Sequence, residues 1–167
     1  RYDLNIVKHW QKITEKRNEI EGHVLNLKYF QYLSLLFTEL YLDQYFHHQA
    51  DMLNELNVEL EQYNHDQKSD AEQFQQYLPE DLNKIGYWNA TGSGKTLLMH
   101  VNILQYLDYF QHQNAGSTYP DQIILLTPNE GLSEQHLQEL TDSGFQATLF
   151  DKQKSRNSLY RDEIQII

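Results

Sequence analysis

The sequence contains no cysteine. A disulfide framework and a thiolate metal site are therefore excluded, and a reducing cytosol is the expected setting. No apolar run approaches the length of a membrane span, and no stretch has the pattern of a secretory signal peptide, so neither feature is expected. Positive charge is scarce: 13 Lys and Arg stand against 24 Asp and Glu, a formal charge of −11. That balance excludes a generally basic surface of the kind that binds nucleic acid nonspecifically, though not a local basic track. The histidines form no H-E-x-x-H motif. His47, His48 and Asp51 fall within one helical turn, but no third ligand stands in register with them. No Ser/His/Asp arrangement and no internal repeat is legible. What remains is a polar, tyrosine- and glutamine-rich chain of 167 residues, enough for one domain with a real core. It begins at Arg1 and stops at Ile167 inside an apolar run, so a fragment of a longer protein is expected.

The stretch Trp88-Asn89-Ala90-Thr91-Gly92-Ser93-Gly94-Lys95-Thr96 organises the rest. An apolar run, Ile85-Gly86-Tyr87-Trp88, precedes it and reads as a strand over Lys84–Asn89. Leu97, Val101, Leu104, Leu107 and Phe110 follow at helical spacing, predicting a helix over Lys95–Gln113. Strand, glycine-rich turn and helix form the context of a phosphate-binding loop. Gly92 and Gly94 open backbone conformations closed to other residues, so that successive N–H groups can face an anion. The positive end of the following helix adds to this. Lys95 would reach the β- and γ-phosphates of ATP, and the Thr96 hydroxyl would bind Mg²⁺. Ala90, Thr91, Gly92, Ser93, Gly94, Lys95 and Thr96 are thus the candidate nucleotide-binding residues.

Upstream, residues 1 to 22 read as an amphipathic helix with Ile6, Trp10, Ile13 and Ile20 on its apolar stripe and Gly22 as its stop. Residues 27 to 46 carry the strongest helical pattern, with Phe30, Leu33, Phe37, Leu40 and Tyr41 along one side; this helix is expected to be largely buried. Gln31 near its start reads, on chemistry alone, as a polar helix-end residue. Met52, Leu53, Leu56, Leu60 and Tyr63 mark a shorter helix over 50 to 63, and residues 64 to 76 read as a polar, mobile linker or an exposed helix. Downstream, a loop at Asn114 to Ser117 leads to a second strand over Gln122–Thr127. Asn129 can cap a helix running to Ser143, and Gly144 can end it. Phe145–Phe150 is a third strand, residues 151 to 162 are a polar loop, and Glu163–Ile167 begins a fourth strand. The alternation implies a parallel sheet with right-handed crossovers, its ligands bound at the carboxyl ends of the strands.

Ala90 to Thr96 resembles motif I of superfamily 2 helicases and translocases, most closely the DEAD/DEAH-like motors of type I and type III restriction enzymes. Leu27-Lys28-Tyr29-Phe30-Gln31 resembles the upstream glutamine motif of that family, and Leu126-Thr127-Pro128-Asn129 with Leu132 and Gln135 resembles motif Ia. The resemblance covers roughly residues 25 to 46 and 83 to 167. It implies that residues 83–167 are a first RecA-like α/β domain with an incomplete parallel sheet, ending before the Walker B motif. Residues 1–82 are then a helical N-terminal region with a helical insertion over 47–82. It also implies that Gln31 reads adenine, that Lys95 is catalytic, and that Thr127, Asn129 and Gln135 contact the nucleic-acid backbone. ATP, Mg²⁺ and duplex DNA would be the ligands. The rest of the motor, and a nuclease, would be partners in a cytoplasmic enzyme.

The sequence also departs from the family. Asn89 stands where Ala, Gly or Met is usual, and the spacing from Gln31 to Lys95 is long. No Asp-Glu-x-His or Asp-Glu-x-Asp motif occurs, so these residues alone are expected to bind nucleotide without turning it over well. Other phosphate-loop NTPases, such as a small kinase or an AAA-type ATPase, stay open at this point. So does a helical interaction module attached to a degenerate nucleotide fold.

Overall fold

The computed structural model describes residues 1–67, 72–113, 120, 122–150 and 163–167. The expected loops at 114–117 and 151–162 fall outside the described residues.

Three long helices come first: α1 (Tyr2–Glu21), α2 (Tyr29–His47) and α3 (Gln49–His65). Helix α1 stops where expected, at Gly22, whose φ of 68° suits only glycine without strain. Its buried stripe is Ile6, His9, Trp10, Ile13 and Thr14; Ile20, expected on that stripe, is exposed. The loop after α1 is tied back to it at Leu25, whose carbonyl accepts from the Trp10 indole at 2.8 Å and whose N–H donates to Asn18 at 2.8 Å.

Helix α2 corrects the sequence reading in its orientation. Its buried face is Gln31, Leu35, Thr38, Glu39 and Leu42, whereas Phe30, Phe37 and Leu40 lie exposed. Apolar residues surround this helix, so periodicity alone does not choose a face. The choice is made by α4 (Lys95–Gln113), which offers hydrogen-bonding partners to Glu39 and to the Leu35 carbonyl of the buried face.

Helix α3 buries only Leu60. It nonetheless holds the chain that follows. Asn64 pairs with the Phe74 main chain through both amide ends, at 2.8 and 2.9 Å, and Asn57 does the same to Tyr77, at 3.1 and 2.8 Å. Seven residues of helix rise about as far as three extended residues span, roughly 10 Å, so the two pairs stay in step. The end of the stretch 64 to 76, read from sequence as a mobile linker or exposed helix, is thus fastened at Phe74 and, just beyond it, at Tyr77. A 3-10 turn, Pro79–Asn83, then leads toward the phosphate loop.

The sheet is small and parallel, with β1 (Ile123–Leu125), β2 (Ala147–Leu149) and β3 (Ile164–Ile166) in the order β1-β3-β2. Helix α5 (Glu130–Asp142) connects β1 to β2, ending at Ser143 with Gly144 at φ 81°. Lys84–Asn89, expected as the first strand, forms no ladder. It is extended at Lys84, but no strand among the described residues lies beside it, and Ile85, Tyr87 and Trp88 are largely exposed. Two apolar clusters make the core. Ile6, Trp10, Ile13, Leu35, Leu98, Val101 and Leu104 join α1, α2 and α4. Leu140, Ile164 and Ile166 join α5 to the sheet, and Phe145 packs against both clusters.

Candidate nucleotide site

The chain crosses from the 3-10 turn to α4 through Lys84–Asn89 and the turn Ala90–Gly94. Lacking a neighbouring strand, this segment is held from α2 by side chains. The Tyr41 hydroxyl donates to the Leu82 carbonyl, Thr38 Oγ1 shares a hydrogen bond of 2.9 Å with the Tyr87 hydroxyl, and Gln31 Nε2 donates to the Ser93 carbonyl at 2.9 Å. Positions 41, 38 and 31 descend along α2 while 82, 87 and 93 ascend along the segment, so α2 lies antiparallel to the approach of the loop and fixes it at three heights.

The turn itself has the form a phosphate cradle needs. Gly92 and Gly94 sit at φ 76° and 80°, in the left-handed region where a side chain is strained. At Gly94 there is a second constraint, because a Cβ would stand 2.8 Å from Gln31 Nε2. Ser93 N–H donates to the Ala90 carbonyl at 3.2 Å and closes the turn. Lys95 and Thr96 open α4, a helix of 19 residues, so its positive end and first-turn N–H groups face the loop. Lys95 is exposed, and its ammonium donates to the carbonyls of Asn89 and Ala90 at 3.2 Å each. These are weak, solvent-exposed contacts that a phosphate oxygen can replace with a charge-assisted one. Ser93 is 8% exposed, and its hydroxyl has no hydrogen-bond partner among the described residues. Glycine geometry, helix start, lysine and spare hydroxyl together fit a triphosphate. No trio of His, Asp or Glu able to hold a metal occurs among the described residues.

Gln31 lies beside this loop and also serves the start of α2. It is 6% exposed; its Oε1 accepts from Lys28 N–H at 3.0 Å while its Nε2 donates to Ser93. A carboxamide has two N–H bonds and two lone pairs, so one of each is left over. Beside Lys95 and Thr96 opens a cavity of about 870 Å³, walled by Tyr87, Tyr106, Met99 and the β1 residues Ile123 and Ile124.

Thr127 and Asn129 lie between β1 and α5, and Gln135 stands in the second turn of α5. All three side chains have intramolecular partners. Asn129 Oδ1 caps the helix by accepting from Leu132 N–H at 3.0 Å, the Thr127 and Ser133 hydroxyls are 2.5 Å apart, and Gln135 donates to Glu139 at 2.9 Å. His47, singled out with His48 and Asp51, pairs with Asp43 at 3.0 Å.

Sequence reasoning missed Thr38, Tyr41 and Tyr87, and with them Glu39, Gln105 and Tyr109. The available signal was polar residues spaced by four within apolar helices, as at Gln105 and Tyr109.

With this geometry in hand, comparison with protein families gives one result. The family described as type III restriction enzyme, res subunit, matches residues 44–167, three quarters of the chain. The chain belongs to the type III restriction enzyme res subunit family. No curated protein and no solved structure matches it. The match takes in the phosphate loop, α4, α5 and the three strands among the described residues; α1 and Gln31 precede it. The family implies an ATP-binding, helicase-like motor domain, and the helices with a small parallel sheet are compatible with part of a RecA-like fold. Among the described residues no helix is long and apolar enough to cross a membrane.

Proposed function

We propose that residues 83–167 form the nucleotide-binding part of an ATP-driven DNA translocase of the restriction type, with residues 1–82 as its helical N-terminal region. The loop Ala90–Thr96 cradles the ATP triphosphate, Lys95 neutralises its β- and γ-phosphates, and Thr96 completes the Mg²⁺ shell. The observation that carries this is the pair of left-handed glycines, Gly92 and Gly94, set immediately before a 19-residue helix that begins with Lys95 and Thr96. Gln31 reads adenine with the N–H and lone pair it does not spend on Ser93 and Lys28. Duplex DNA runs past the start of α5, where helix N–H groups suit a backbone phosphate and Thr127, Asn129 and Gln135 shape the surface. Acidic groups elsewhere in the motor, and a second motor domain, supply the hydrolysis step. Movement along DNA then follows opening and closing around ATP.

The test is calorimetric ATP binding to the intact protein at low salt. Lys95→Ala removes a charge-assisted contact worth about 1.5–3 kcal/mol, so affinity drops roughly tenfold or more. Equal affinities would refute the site. Gln31→Ala is expected to erode the preference for ATP over GTP; an unchanged preference returns Gln31 to a purely structural role at the helix start. DNA-stimulated ATP hydrolysis by the intact protein, abolished by Lys95→Ala, separates a DNA motor from a nucleotide-binding module.

A further inference from the structure

Helices α2 and α4 each begin at the phosphate loop, one with Gln31 and the other with Lys95. Their placement on one another is decided further along, where a polar cluster is sealed between them. Glu39 and Gln105 are 0% exposed, and Tyr109 is 3% exposed. Gln105 Nε2 donates to the Leu35 carbonyl at 3.0 Å and to the Glu39 carboxyl at 3.1 Å, and the Tyr109 hydroxyl donates to the other Glu39 oxygen at 3.0 Å. Gln113 Nε2 continues the ladder to the Phe46 carbonyl. The α4 members 105, 109 and 113 recur every four residues and so share one face.

A buried carboxyl is expensive to keep, and Glu39 takes part in none of the ion pairs formed among the described residues. Leucine would fill the same place between two helices without that cost. What leucine cannot do is accept directed hydrogen bonds from two successive turns of α4. Register is the use for which buried polar groups are best attested.

We propose that Glu39 is a positioning residue for the phosphate loop. By holding Gln105 and Tyr109 it fixes the register of α4 on α2, and with it the place of Lys95 relative to the Gln31–Ser93 contact. This rests on the nucleotide-site reading above, and it goes beyond it in making a residue nearly three turns into α2 a determinant of ATP affinity.

The test is ATP·Mg²⁺ binding to the intact protein, by calorimetry well below the melting temperature. Wild type, Glu39→Gln, Glu39→Leu, Tyr109→Phe and Lys95→Ala are compared, each checked for native helix content by circular dichroism. Glutamine can accept from Gln105 through its carbonyl oxygen and donate to the Tyr109 hydroxyl through its amide, so both contacts persist with one reversed and Glu39→Gln binds within about twofold of wild type. Glu39→Leu weakens binding about tenfold and Tyr109→Phe by less, as displacement of a positioned group by a fraction of an ångström would do. If Glu39→Leu and Tyr109→Phe bind as wild type while Lys95→Ala does not, the positioning role is overturned and the nucleotide site stands. The role is also overturned if the Gln and Leu variants lose affinity alike, in step with their melting temperatures. Should Glu39→Leu fail to fold, Tyr109→Phe decides alone: wild-type affinity overturns the role. If Lys95→Ala binds as wild type, the nucleotide site itself is wrong and this role falls with it.

Discussion

The helical side of the molecule and its sheet side are built to different standards. On the helical side, seven buried apolar residues from three long helices interlock, and Gln31, Thr38, Glu39 and Gln105 are buried among them with partners. On the sheet side, three strands of three residues each rest on Leu140, Ile164 and Ile166, and Ile124 of the edge strand β1 is 48% exposed. The phosphate loop lies between the two and is fastened to the better-packed one. In a parallel α/β fold the strand before such a loop is ordinarily held by its neighbours. Here side chains of α2 take that part.

The largest expected effect separates the two sides directly. Leu35→Ala leaves a hole in the middle of the helical cluster and costs about 2–5 kcal/mol. Ile124→Ala, on the half-exposed edge strand, costs under about 1 kcal/mol. Urea denaturation of both variants measures the difference. Comparable losses would mean that the sheet side contributes as much to stability as the helices, and the contrast would fail.

His100 sits on the seam. It is fully buried on α4; its Nδ1 is 2.8 Å from the Ser143 hydroxyl at the end of α5, and its ring meets Phe145, which belongs to both clusters. Burial is the main cause that pushes its pKa down from 6.5 to about 4; the nearby Glu139 opposes this, and Arg17 and His136 reinforce it. The folded state therefore favours neutral His100, while the unfolded chain takes up a proton below about pH 6.5. Stability is full above that pH and is lost as pH falls toward 4, by about 3 kcal/mol for a shift of this size. Subtracting the stability–pH curve of His100→Gln from that of wild type should isolate this loss. A flat difference curve would show that His100 is reached by water and that the seam between the clusters is open.

Much of the site is legible in the sequence because its signals are local. Gly92, Gly94, Lys95 and Thr96 carry their geometry in their own residue types, and Gly22, Asn129 and Gly144 mark helix ends in the same way. The face of α2 is not legible there: with Phe30, Phe37 and Leu40 on one side and Leu35 and Leu42 on the other, hydrophobicity points both ways. The deciding partners, Gln105 and Tyr109, lie some 70 residues away. The expected strand at Lys84–Asn89 fails for a related reason. Its residues suit a strand, but a strand exists only when another backbone pairs with it, and pairing is not encoded locally.

The smallest expected effect concerns Asn129, where the sheet side meets the proposed DNA track. Its side chain is spent on the Leu132 N–H, one of the four donors at a helix start that have no partner within the helix. Asn129→Ala should therefore cost about 1 kcal/mol of stability through the lost cap alone. If Asn129 also shapes a phosphate-binding helix start, the variant weakens DNA binding by the intact protein to a similar degree for unrelated sequences, because a phosphate contact carries no base information. Gln135→Ala supplies the control. Gln135 is exposed and its amide donates to Glu139 in a solvent-exposed contact, so stability should hardly move. Any loss of DNA affinity in that variant must come from the DNA contact itself. If Asn129→Ala lowers stability while both variants bind DNA as wild type does, the start of α5 is a capped helix end and the DNA track lies elsewhere on the motor.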